Sequence, residues 1–289
     1  MSTETDKKEE KINFDITYEY FTKLNIYGDY PKLCSYCFLD YEQFNEYIPN
    51  KLESNYKNLD PKYLAKLPFD YKEKVKKVKE GMKTNQEFFT KIANIYLDRF
   101  QDVEVAYETI DSFENEEPSF VGNLLLQILT REWTQEGEKE RSKSIPLIID
   151  ELKNYYNYEN KELMDKGVNV LVAGFRFGRM LYELAKLGYI VEGNERSYFY
   201  LLIADYLFNH SKKNENCICP RISSFCSSFT EESVTKKHYF PDVDICEDLK
   251  NVKKGNIKIT KRDFEIEYEN KKDLFDCVIT AFSSDEAKL

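Results

Sequence analysis

Glycine is scarce in this chain, with 10 in 289 residues, and there are only two histidines and one tryptophan. Where glycine is rare, two of them close together carry positional information. No run of 18 apolar residues occurs, so no membrane span is expected. The opening residues, MSTETDKKEEKINFD, lack the apolar centre of a signal peptide, and residues 1–13 read as a disordered tail. Basic residues are not in excess either. The net charge is −10, which argues against nucleic acid as the main partner, because phosphate binding needs a basic face. Seven cysteines without a secretory signal read as reduced thiols. The expected compartment is the cytoplasm, with the nucleus as a second. Cys34 and Cys37 form a C-x-x-C and Cys217 and Cys219 a C-x-C, but nothing supplies the rest of a zinc ligand set. No metal is therefore expected. What abounds is tyrosine, 22, and phenylalanine, 20. Beside the richness in Lys, Asn and Glu, this reads as compositional drift.

The periodicity changes once along the chain. Residues 14–160 read as a helical domain. In FDYKEKVKKVKEGMKTNQEFFTKIANIYLDRF, Val75, Val78, Met82, Phe88, Phe89, Ile92 and Ile95 recur at helical spacing. In NLLLQILTREW, Leu125, Ile128 and Leu129 share one face, while Gln127 and Arg131, four apart, share another. SIPLIIDELKNYY gives a further helix, with proline tolerated in its first turn. NEEPSF, residues 115–120, is the best candidate break in this half. From Val168 onward, short β-branched runs alternate with helical ones. VNVLVAG, YIVEGNE, IKITKRDF and FDCVITAF read as four strands. Gly188 is placed as a helix C-cap and Ser197 as an N-cap. Strands alternating with helices imply an α/β fold with a parallel, three-layer sheet over residues 161–289. The stretch from Ser211 to Asn256 reads as a loop-like insertion.

VNVLVAGFRFGRMLYELAKLGYIVEGNE, Val168–Glu195, holds the chemistry. Ligands of such sheets sit at the carboxyl ends of the strands. Gly174 ends the first strand, where backbone must approach a ligand. Gly178 opens the helix, whose N–H groups suit an anion. Glu195 ends the second strand 21 residues after Gly174, placed to accept the hydroxyls of a ribose. Asp263 and Phe264 end the third strand, an acid and a ring suited to the amine and the face of an adenine. Each has a plainer reading too: Phe264 as a core ring, Glu195 as a solvated acid or the partner of a helix N-terminus. On physical grounds alone, a nicotinamide dinucleotide and S-adenosylmethionine both fit, and an oxidoreductase stays open.

LQILTREWTQEGEKERSKSIPLIIDELKNYY, the stretch from VLVAGFRFG to LIADYLFN, FPDVD, KRDFEIEY and FDCVITAFSSDEA follow one another in the order that resembles the carnosine N-methyltransferase (N2227-like) family. The resemblance runs from about residue 14 to the last residue. It implies a helical region before a Rossmann-like class I methyltransferase sheet and S-adenosylmethionine as cofactor. The substrate would be carnosine, another histidine-containing peptide or a protein histidine, methylated on an imidazole nitrogen. The family's cofactor-binding residues fall on Gln127, Arg131, Gly174, Glu195, Asp263 and Phe264, and its site cysteine on Ala281.

Two departures accompany the resemblance. The family loop reads G-x-G-x-G, whereas here it is G-F-R-F-G, with Arg176 at the middle glycine. A non-glycine residue with positive φ costs on the order of 1–2 kcal/mol. Its guanidinium either pairs with the cofactor's carboxylate or blocks it. The chain also stops at Leu289, just after the fourth strand, which implies a sheet cut short and a fragment of such an enzyme. The family's substrate-binding acid, histidine and tyrosines would lie beyond that point, and no catalytic residue is identified. The alternative is an inactive methyltransferase serving as a binding module. A homodimer is a further open expectation.

Overall fold

The protein is described by a computed structural model over residues 31–67, 69–99, 119–156, 166–222, 231–250 and 257–281. The expected tail, the start of the helical region and most of the NEEPSF break lie outside the described residues. The first half is helical: α1 (Pro31–Asn58), α2 (Pro61–Leu64), α3 (Tyr71–Arg99), α4 (Ser119–Trp133), α5 (Glu138–Arg141) and α6 (Ile145–Tyr155). In α3, the expected apolar positions Val75, Val78, Met82, Phe88, Phe89 and Ile92 are buried, and Ile95 packs partly buried against them. Leu125, Ile128 and Leu129 of α4 are buried on one face. Proline lies in the first turn of α6, where its missing N–H leaves no bond unmade.

The second half builds a parallel sheet from β1 (Asn169–Ala173), β2 (Ile190–Glu195), β5 (Ile257–Lys261) and β6 (Cys277–Ile279). The strand order is β5-β2-β1-β6. Ala173 pairs with Asn194, Glu195 with Lys261 and Val172 with Ile279. The registers therefore set the ends of all four strands side by side. The order steps outward from β1 in both directions, which opens a switch point at the carboxyl end of β1. Helix α7 (Arg179–Lys186) follows β1 and α8 (Tyr198–His210) follows β2. Gly188 ends α7 with φ 93° and a bond from its N–H to Ala185 O, the left-handed cap expected of it.

The expected loop between Ser211 and Asn256 is more ordered than its composition suggests. It holds an antiparallel pair, β3 (Asn216–Ile218) with β4 (His238–Phe240), and two short helices, α9 (Glu231–Thr235) and α10 (Ile245–Leu249). Three-residue strands carry too little periodicity to be seen in sequence. They are held instead by Asn85 of α3, whose Oδ1 accepts from Cys219 N–H at 2.7 Å and whose Nδ2 donates to Cys219 O at 3.0 Å.

Helix α8 is buried nearly all round, from Tyr198 to Phe208. Such a helix belongs between layers. Its rings meet those of the helical half: Phe38 lies edge-on to Phe199 and Phe88 to Tyr206, while Phe240 of β4 also lies edge-on to Phe88. The aromatic abundance therefore has a structural use. Each fully buried large side chain contributes about 1.5–3 kcal/mol, against about 1 kcal/mol for a neutral hydrogen bond, so the rings dominate this seam. The Tyr96 hydroxyl donates to buried Asp205 across it. Burial first, and the neighbouring Asp205 carboxylate next, push the Tyr96 phenol far above its usual range. One hydrophobic core runs from Cys34 to Ile279. Among the described residues, no helix is long and apolar enough to cross a membrane.

Candidate cofactor-binding site

The loop after β1 turns sharply within five residues. Gly174, Arg176 and Gly178 have φ of 64°, 56° and 86°. Arg176 thus adopts the left-handed backbone that glycine adopts far more readily. Gly178 has two reasons to lack a side chain: its positive φ, and a Cβ there would lie 2.8 Å from the Phe208 ring. The loop is pinned on several sides. Gly174 N–H donates to Asn194 O at 2.8 Å, and Trp133 Nε1 donates to Phe177 O at 3.0 Å. Arg176 N–H donates to Glu195 Oε2 at 3.0 Å.

Glu195 is buried, and its Oε1 also accepts the N–H groups of Arg196 and Ser197, at 2.9 and 3.0 Å. It therefore does the capping at the start of α8. Ser197 occupies the N-cap position without a side-chain cap bond. Asp263 stands just past β5, caps α11 (Phe264–Tyr268) by accepting from Glu265 N–H, and lies 3.5 Å from the Arg196 guanidinium. Phe264 is partly buried, with its ring 5.2 Å from that of Tyr268. Asn194 Nδ2 reaches Thr260 and the Arg262 carbonyl and ties the two strand ends together.

Arg131, Gly174, Arg176 and Ala281 line one cavity of about 70 Å³. Gln127, one turn before Arg131, is exposed on α4 and is not on that wall. Gly178 is not on it either; it starts α7 beside the cavity. Among the described residues, four arginines line it, Arg131, Arg141, Arg176 and Arg179, with one acid, Glu132. Burial pushes the Glu132 carboxyl up to about 7, although the Arg131 and Arg176 charges and the backbone amides of Arg179 and Phe177 pull the other way. An anion was expected from a ligand at the start of α7. The protein places its own carboxyl against those amides.

Sequence reasoning passed over Glu132, Trp133, Arg141, Arg179 and Asp242. Asp242, from FPDVD, bridges two arginines: Oδ2 to Arg141 and Oδ1 to Arg179 at 2.6 Å. Arg141 also donates to the carbonyls of Arg131 and Thr134, at 2.8 Å each, and Arg179 to that of Glu132 at 3.2 Å. The motif closes the carboxyl end of α4 over the amino end of α7. An acid-bearing motif amid loop-like sequence was its only signal.

The carnosine N-methyltransferase sequence model matches residues 114–288, more than half of the chain and all of the site just described. The chain belongs to the carnosine N-methyltransferase family. A carnosine N-methyltransferase of Drosophila melanogaster, unmet, is 36 % identical over 161 residues, covering 55 % of this chain and 34 % of that protein. The mouse carnosine N-methyltransferase is 28 % identical over 244 residues, 82 % of this chain and 58 % of its own length. That of Schizosaccharomyces pombe is 28 % identical over 198 residues, 67 % and 50 % of the two chains. The chain thus spans about half the length, or less, of these carnosine N-methyltransferases.

Proposed function

We propose that this chain binds S-adenosylmethionine at the carboxyl ends of β5, β2, β1 and β6, and serves methyl transfer to an imidazole nitrogen of carnosine or another histidine-containing peptide. The observation that carries the reading is the meeting of Gly174, Arg176 and Ala281 from the sheet with Arg131 from α4 around one cavity, in a chain of this family. In this reading residues 14–160 form a helical region that closes over the sheet of residues 161–289.

The residues present suit such a cofactor. A left-handed turn lets backbone approach it, a carboxyl at the end of β2 is oriented by three N–H groups, and guanidiniums stand where its carboxylate would lie. About 70 Å³ is small beside the roughly 300 Å³ or more of a complete ligand pocket. The cavity therefore receives the amino-acid end alone. Outside the cavity, Glu195 would take the ribose hydroxyls, and Asp263 and Phe264 the adenine. Arg131 pairs with the carboxylate.

When bound, the cofactor supplies an electrophilic methyl on sulfur. The chain's contribution is placement: holding reacting atoms within about 3–3.5 Å and in line converts a bimolecular step into an effectively unimolecular one. The imidazole nitrogen attacks only when unprotonated.

Titration calorimetry with S-adenosylhomocysteine and with a nicotinamide dinucleotide tests the site. The first is expected to bind, and tighter binding of the second overturns the reading. Label transfer from methyl-labelled cofactor to carnosine, absent when phenylalanine replaces the dipeptide's histidine, tests the acceptor.

A further inference from the structure

Glu132 sits beside Arg131 on α4 and lines the same cavity as Arg131, Gly174, Arg176 and Ala281. Its Oε2 is sealed from solvent and has no hydrogen-bond partner. Buried polar atoms without partners are few in native proteins and call for a reason. Leaving a charged acceptor unsatisfied costs about 1–3 kcal/mol or more. Among the described residues, Glu132 is the one acid on this wall, and the other charged residues lining it are Arg131, Arg141, Arg176 and Arg179. The arginines suit a carboxylate. A carboxylate alone, however, gives no reason for an acid with one unpartnered oxygen among them. An α-amino acid zwitterion does: its carboxylate meets the arginines and its ammonium meets the acid.

We propose that Glu132 is the receptor for the α-ammonium of the cofactor's amino-acid end, accepting its N–H through Oε2. This rests on the cofactor reading above and adds to it a residue and a recognised group. The pairing also supplies a pH response. With its carboxyl pushed up to about 7 by burial, Glu132 is half protonated near neutrality in the empty site. An ammonium binds only the ionised form. Among the described residues, Glu132 is the only acid on this wall.

The test uses two ligands on the full chain. S-adenosylhomocysteine carries the amino-acid end, and methylthioadenosine lacks it. Glu132→Gln is expected to weaken S-adenosylhomocysteine about 10- to 100-fold, as loss of a charged hydrogen bond does, and to leave methylthioadenosine within about twofold. In the unaltered protein, S-adenosylhomocysteine is expected to weaken about tenfold from pH 7 to pH 5.5, with methylthioadenosine unchanged; this arm needs no variant. Equal loss of both ligands in the variant, or a flat pH response, overturns the inference while the cofactor reading stands. If the unaltered protein binds neither ligand, the cofactor reading falls and the inference with it.

Discussion

Arg176 shows what one residue in an unfavourable conformation can reveal. Its φ of 56° costs on the order of 1–2 kcal/mol relative to glycine, while glycine would add roughly 0.5–1 kcal/mol of unfolded-state entropy. The difference favours glycine slightly. Arg176→Gly is expected to stabilise the chain by about 0.5 kcal/mol in urea unfolding. If it destabilises by more than 1 kcal/mol, contacts of the guanidinium outweigh the strain. Glu195 makes a related point. Ribose acid and helix-capping residue are compatible roles, because its carboxylate holds the amino end of α8 and the Arg176 amide in one place. The capping bonds set the geometry in which a ligand would find it.

Among the elements, the joint between α4 and α7 depends on a short segment after β4. Asp242 neutralises two guanidiniums whose side chains are only 8 and 9 % exposed. Removing one partner of a buried ion pair costs about 3–5 kcal/mol, because the other charge is stranded. Glu183, 2.8 Å from Arg179, compensates in part. Asp242→Ala is therefore expected to cost about 3 kcal/mol in urea unfolding. Asp244, two residues on, caps α10 through Glu247 N–H at 3.1 Å, and Asp244→Ala should cost about 1 kcal/mol. Similar losses at both positions would mean that the double bridge contributes little. Because the carbonyls of Arg131 and Glu132 are held by Arg141 and Arg179, the Asp242 variant should also loosen S-adenosylhomocysteine binding.

At the scale of the molecule, one core joins the helical half to the sheet through the buried rings of α8. A continuous core predicts one cooperative transition. The single tryptophan, Trp133, is fully buried on α4 and bonded to the loop at Phe177, so its fluorescence reports the site, while far-UV circular dichroism reports mainly α1 and α3. The two signals are expected to share one midpoint in denaturant. A separate, earlier loss of ellipticity would show that the long helices unfold on their own.

Much of this was legible in the residues. The seven apolar positions of α3, the four strands, the Gly174 turn and the strand-end acids Glu195 and Asp263 all follow from local periodicity and spacing, which act over a few residues and leave a pattern in the sequence. So did the family, through motifs in a fixed order. Other features had no local signature. The hairpin of β3 and β4 depends on Asn85, 134 residues from Cys219. The Arg141–Asp242 bridge spans 101 residues and the Arg179–Asp242 bridge 63. Glu132 was one acid in a helix until α4 was laid across the start of α7. The sequence by itself determined the long helices and the four strands of the parallel sheet, because those are near-neighbour properties. Only the tertiary structure decided which charges face one another and which oxygen is buried without a partner, because desolvation depends on what the rest of the chain places around a group.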